Sequence, residues 1–132
     1  MARVIVLDAN VLIAYLDKQD QHHISSVNML SAAADNDFAV SALNLSEVLV
    51  RPAMNGTSKQ AIQIIAHDLD VLVVPILGPD AVTLALIRAE TRLRMPDCCV
   101  LLAADKVTAS SIMTFDDQLA QAVEARGLSV TR

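Results

Sequence analysis

The stretch that most constrains this chain is Val4-Ile5-Val6-Leu7-Asp8-Ala9-Asn10. Four apolar residues, three of them β-branched, run without a polar face, the pattern of a strand covered on both sides in a parallel sheet. They predict a strand over Arg3–Leu7. Directly after it Val11, Leu12, Tyr15 and Leu16 recur at helical spacing and predict a helix from about Asn10 to Asp17. Asp8 therefore falls where a buried strand hands over to a helix. In open α/β sheets that carboxyl edge is where ligands bind.

The same alternation continues along the chain. A polar break at Asp20-Gln21-His22-His23 precedes a helix over Ile24–Ala34, and Phe38–Ser41 reads as a short strand. Leu45, Val48 and Leu49 give a third helix, kinked or ended by Pro52. Ser58 is an expected N-cap for a helix to about His67. Val71–Ile76 forms the third strand, with Pro75 at or beyond the end of the ladder. Gly78-Pro79-Asp80 opens a helix to Arg94; Met95-Pro96-Asp97 breaks it and starts another over Cys98–Lys106. Ser111–Thr114 is a strand, Asp116–Ala125 a helix with Gly127 as its C-cap, and Leu128–Val130 a last strand. Strands alternating with helices predict a three-layer α/β/α domain spanning residues 1–132, with a central parallel sheet of about five strands and right-handed crossovers. No internal repeat, low-complexity tract or linker interrupts it.

Composition suits that architecture. The chain is 54% hydrophobic with 2% aromatics, so its core must be built of Ala, Val, Leu and Ile. No apolar run approaches the roughly 20 residues of a membrane span, and no signal peptide is expected. Cys98 and Cys99 are adjacent, which suits neither a disulfide nor a zinc site. Two small buried thiols in a reducing, cytoplasmic setting are expected. The net charge of −5 counts against a generic nucleic-acid binder, although several acids gathered at one cation would account for part of it.

Four acids stand out: Asp8, Glu47, Asp97 and Asp116. Each has a structural explanation. Asp8 and Asp116 would cap the helices that follow them. Glu47 matches a capping-box spacing with Asn44 and an ion-pair spacing with Arg51. Asp97 lies in a first helical turn, where the helix dipole favours a carboxylate. Jointly they say more. Asp8 and Asp116 directly follow strands, Asp97 starts a helix, and Glu47 sits one turn inside another, so all four tend to one sheet edge. Crowded carboxylates repel and take up protons unless a cation lies between them. All-oxygen ligands favour Mg²⁺ or Mn²⁺, ions that activate water and neutralise a phosphate.

Together the strand ending in Asp8-Ala9-Asn10, the segment Asn44-Leu45-Ser46-Glu47-Val48, Met95-Pro96-Asp97 and Met113-Thr114-Phe115-Asp116 resemble a PIN-domain ribonuclease. The nearest subgroup is the VapC-type toxin of toxin–antitoxin pairs. The resemblance spans nearly the whole chain in order. It implies that Asp8, Glu47, Asp97 and Asp116 are the catalytic acids and metal ligands, with Asp8 and Asp97 the most direct. It also implies that Asn10 supports the site and that the Thr114 hydroxyl orients the last acid. The implied reaction is hydrolysis of RNA phosphodiesters by a metal-activated water, leaving 5′-phosphates and 3′-hydroxyls. The implied partners are the RNA substrate, a small VapB-type antitoxin and a second copy of the chain in a homodimer.

Arg51, Arg88, Arg92 and Arg94 are candidates for holding substrate phosphates, because guanidinium forks suit them, and equally for pairing with Glu90 and nearby acids or binding a partner. Arg88 and Arg92 are four apart, on one face of the helix predicted to Arg94, and there repel slightly. Phe38, Phe115 and Tyr15 are expected in the core, leaving no aromatic platform for bases, so recognition would rest on RNA shape and backbone. His22 and His23 are expected as solvated loop residues; Asp17, Asp20, Asp105 and Asp117 as surface charge. Two rivals compete. A phosphotransferase of the haloacid-dehalogenase type also places an Asp after its first strand, but wants an acid where this chain has Asn10. A non-catalytic PIN-like module that binds RNA or protein would not need the intact quartet.

Overall fold

A computed structural model describes residues 3–132; the first two residues of the expected domain lie outside the described residues. The opening apolar run forms strand β1 (Val4–Leu7). It is followed by β2 (Asp37–Ser41), β3 (Val71–Val74), β4 (Ser111–Met113) and β5 (Ser129–Thr131). All neighbours pair in parallel, in the order β3-β2-β1-β4-β5. The chain thus builds outward from β1 on one side, then returns to its other side at β4. The strand order reverses between β1 and β4, at the centre of the sheet.

Side-chain alternation divides the core into two layers. Ile5, Leu7, Phe38, Val40 and Met113 point to one face. There they meet helices α1 (Ala9–Leu16), α2 (His23–Ala32) and α3 (Ala42–Met54), and a π-helical turn (Ile64–Asp68) that continues α4 (Ser58–Gln63). Val6, Ala39 and Ile112 point to the other face. That face is covered by α5 (Asp80–Thr91), α6 (Met95–Val107) and α7 (Asp117–Ala125). The expected three-layer α/β/α architecture with a five-stranded parallel sheet is the one observed. Residues Asp97 to Ala104 of α6 are all buried, which explains a helix apolar nearly all round. Among the described residues, no helix is long and apolar enough to cross a membrane.

Several local expectations are corrected. Helix α3 is capped by Ser41, whose hydroxyl accepts the Asn44 N–H at 3.0 Å; Asn44 itself lies inside the first turn. Pro52 does not end α3, which runs on to Met54. Ser58 is not a cap: Thr57 holds that position, and its hydroxyl donates to the Pro52 carbonyl. The helix expected to His67 converts to π geometry after Gln63, with the Leu69 N–H closing on the Ile64 carbonyl at 3.0 Å. Helix α5 stops at Thr91, where Arg92 turns left-handed (φ 61°), rather than at Arg94. Gly127 (φ 82°) follows α7 in the left-handed conformation that glycine adopts without a Cβ penalty.

Ser41 joins the end of β2 to the start of α3, so its cap carries weight beyond one helix end. Ser41→Ala is expected to lower stability by about 1–2 kcal/mol in urea unfolding followed by circular dichroism, with Ser41→Thr keeping most of it. An unchanged midpoint for Ser41→Ala would refute the cap.

Candidate active site

Asp8 lies at the end of the central strand, 7% exposed, beside the point where the strand order reverses. Its Oδ1 accepts the Ala9 N–H at 2.8 Å, so the expected helix cap is present. Its Oδ2 accepts the Thr114 hydroxyl at 2.7 Å. Thr114 is fully buried at the end of β4, and its oxygen in turn accepts the Asp116 N–H at 3.0 Å. The resemblance gives Thr114 the task of orienting the last acid; here its hydroxyl also ties that segment to the first. Asn10 fastens the same loop, its Oδ1 accepting the Phe115 N–H at 3.3 Å.

The other acids arrive from helix starts. Asp116 caps α7, its Oδ1 accepting the N–H groups of Gln118 (2.8 Å) and Leu119 (3.2 Å). Asp97 stands in the first turn of α6, behind Pro96, and is also 7% exposed. Glu47 is exposed on α3 and is held by Asn44, whose Nδ2 donates to Glu47 Oε1 (3.2 Å) and to the Pro96 carbonyl (3.1 Å). That buried amide joins α3 to the helix start carrying Asp97. Sequence reading took Asn44 for a cap and missed this bridge; its only local signal was the three-residue spacing to Glu47.

The acids act on one another electrostatically. Burial drives the Asp8 carboxyl up to about 6 from its ordinary value of 3.8. The Thr114 hydrogen bond opposes this, while the Asp97 and Asp116 charges add to it. Burial also raises Asp97, with Asp116 and Glu47 adding and the Arg94 guanidinium opposing. As they stand, no three His, Cys, Asp or Glu side chains among the described residues close tightly enough to cage a metal ion. The four carboxylates share a field but not a preformed cage. The donor set nevertheless fits a hard divalent cation that keeps several of its own waters: oxygen ligands only, two of them buried and resisting ionisation. Softer donors are turned elsewhere. His23 Nδ1 meets the Ala14 carbonyl at 2.7 Å, and burial pushes the Cys99 thiol up to about 11.

The remaining candidates disperse. Arg51 pairs with Asp17 at 3.2 Å, and Glu47 is not its partner. Arg88 donates to the Leu93 carbonyl at 3.0 Å. Because α5 ends at Thr91, Arg92 stands at its C-cap in a left-handed conformation rather than within the helix that carries Arg88. Arg94 stands at the cap of α6, close enough to influence Asp97. His22 is not a solvated loop residue. Its ring stacks on Phe115, centroids 4.4 Å apart and planes 13° from parallel, while His23 begins α2. Phe115 and Tyr15 are half-buried rather than fully inside. Asp105 and Asp117 are surface acids, paired with Arg126 and Arg132.

The PIN domain family model matches residues 5–125, and the chain belongs to the PIN domain family. Among solved structures it resembles a toxin–antitoxin complex from Klebsiella pneumoniae (19% identity, TM-score 0.73, covering 97% of this chain and 96% of that one). It also resembles VapBC2 from Rickettsia felis bound to a promoter DNA fragment (14% identity, TM-score 0.72, 97% of both chains). A third is VapC20 of Mycobacterium tuberculosis, a toxin that cleaves the sarcin–ricin loop (18% identity, TM-score 0.72, 89% of this chain and 94% of that one). At these identities the likeness is one of fold. No curated protein matches the chain in sequence.

Asp8 holds a proton more tightly folded than unfolded, so without metal its contribution to stability is lost as pH rises from about 4 to about 6. Its neutral isostere escapes that loss. In chelator, Asp8→Asn is expected to gain on the wild type by up to roughly 3 kcal/mol between pH 4 and pH 7. Denaturant melts at the two pH values measure the gain. A constant difference between the proteins would refute it.

Proposed function

We propose that this chain is a metal-dependent endoribonuclease, the toxin of a toxin–antitoxin pair, acting on RNA phosphodiesters at the edge formed by Asp8, Glu47, Asp97 and Asp116. The observation that carries the proposal is the Thr114-held, buried Asp8 sharing an electrostatic field with Asp97 and Asp116 where the strand order reverses.

Asp8 and Asp97 would hold Mg²⁺ or Mn²⁺, with Glu47 and Asp116 completing its surroundings. When bound, such an ion supplies an acidic centre for a phosphoryl oxygen and lowers the pKa of water. The chain's own residues do the rest. Thr114 and the Ala9 N–H each take one lone pair of Asp8, fixing which oxygen faces which way. Asp116 commits Oδ1 to the backbone of α7, leaving Oδ2 to accept a proton from the attacking water. Asn44 keeps Glu47 aligned with the start of α6. In-line attack would leave a 5′-phosphate and a 3′-hydroxyl. An imidazole pair is not at hand, since His22 stacks on Phe115 and His23 meets Ala14.

The solved complexes of similar fold support a small antitoxin as partner. A groove of about 750 Å³ beside Glu47, with Ile13, Leu16, Val48 and Val50 beside Asp17 and Arg51 in its lining, suits an amphipathic segment of such a partner. A homodimer working in the cytoplasm completes the proposal.

The test is cleavage of a mixed structured-RNA pool by purified protein free of antitoxin, with Mg²⁺, Mn²⁺ or chelator. Metal-dependent fragments bearing 5′-phosphates are expected, falling at least about 100-fold in Asp8→Asn and Asp97→Asn. A folded protein that binds RNA but cuts none with either metal would leave a non-catalytic module instead.

A further inference from the structure

Of the ten Lys and Arg residues, Arg51, Lys106, Arg126 and Arg132 are ion-paired and Arg88 is held by a backbone carbonyl. Arg92 and Arg94 are exposed and pair with no carboxylate among the described residues. Both belong to the turn that feeds α6, Arg94 three residues before Asp97. Arg92 lines a groove of about 540 Å³ between that turn and α7, whose opposite wall carries Gln118 and Gln121. These glutamines are three apart on one helix face, and Gln118 follows Asp116 by two residues. The walls of the groove thus adjoin, along the chain, the segments that carry Asp97 and Asp116. Glu90 and Arg126, 3.7 Å apart, also line it. Arg92 sits where a helix end favours glycine. Thr108 ends α6 in the same conformation, so conformation alone assigns nothing; charge and nearness in the chain to Asp97 do.

We infer that this groove is a subsite for the sugar–phosphate backbone of single-stranded RNA flanking the scissile bond, with Arg92 holding a phosphate inside it, Arg94 a phosphate on the turn beside it, and Gln118 and Gln121 bonding phosphate or ribose oxygens. It rests on the nuclease proposal for the position of the scissile bond. Guanidinium forks match phosphate oxygens, and the amides donate without adding charge. The lining includes no aromatic ring, so bases have nothing to stack on and the subsite reads backbone. Glu90 and Arg126 offset one another within the lining, which leaves Arg92, among the described residues, as the cation free there for a phosphate.

The test is fluorescence anisotropy of a labelled single-stranded RNA oligonucleotide on the full chain, in chelator to prevent cleavage, across a salt series. Arg92→Gly and Arg94→Ala are each expected to weaken binding about fivefold and to flatten the log K against log salt slope by about 0.7. Gln121→Lys is expected to tighten binding and steepen the slope. Lys59→Ala, on α4, is expected to change neither. Arg92→Gly also removes a side chain from a left-handed position, so its melting temperature should rise while its affinity falls. No structural defect gives that pair of results. The inference is overturned if Arg92→Gly and Arg94→Ala behave like Lys59→Ala, which would leave the patch to an acidic protein partner. It is also overturned if all three weaken binding equally, which would mean diffuse attraction. If the binding pattern holds while the wild type cuts no RNA with metal, the groove stands as a backbone-binding site and the nuclease proposal, with the scissile bond it places, falls.

Discussion

A carboxylate buried at the end of a central strand is the constraint on which the rest of this structure depends. Burial opposes ionisation of Asp8, and the Asp97 and Asp116 charges oppose it further. What counters them is the Thr114 hydroxyl, delivered by β4 from 106 residues away, and the Ala9 N–H at the start of α1. Thr114 can arrive only because β4 pairs with β1 rather than extending the sheet beyond β3. The reversal of strand order and the holding of one acid are thus a single arrangement.

The scaffold leaves this edge little freedom. One core layer fixes α1 and α3, the other fixes α6 and α7, so the elements that carry the four carboxylates are rigidly supported. Between the layers, Asn44 spans from Glu47 to the Pro96 carbonyl, and Asn10 spans from α1 to the Phe115 N–H. These amides act as struts between elements that meet only at the edge. Their donors and acceptors are satisfied locally, so the acids are left with mutual repulsion that an external cation would relieve. The helix caps and the charged cluster are the same residues. Asp8 and Asp116 satisfy helix N-termini and still turn oxygen toward the shared edge, so the structural and functional explanations of these acids do not compete.

Charge elsewhere on the molecule is largely consumed within it. Surface acids take Arg51, Lys106, Arg126 and Arg132, and such exposed pairs contribute little to stability. Their consequence is selective: they leave the turn between α5 and α6 as the place where unpaired guanidinium groups adjoin the carboxylate edge. A net-acidic chain can still offer a local path for an anionic polymer, which the total of −5 conceals.

The amino-acid sequence by itself determined the strand–helix alternation, the layered parallel sheet, three acids at the starts or first turns of helices and a fourth, Glu47, one turn inside another. These are written in periodicity and capping signals that act within a few residues. It did not determine that Asn44 bridges to Pro96, that Arg51 turns to Asp17, that His22 stacks on Phe115, or that Arg92 leaves its helix. The first three join residues between 34 and 93 positions apart, where no local preference reaches. The last depends on a helix ending three residues short of Arg94, with Leu93 buried in the core layer that α6 shares. Propensity within a turn of chain specified the elements, and burial between distant elements decided which polar groups face one another.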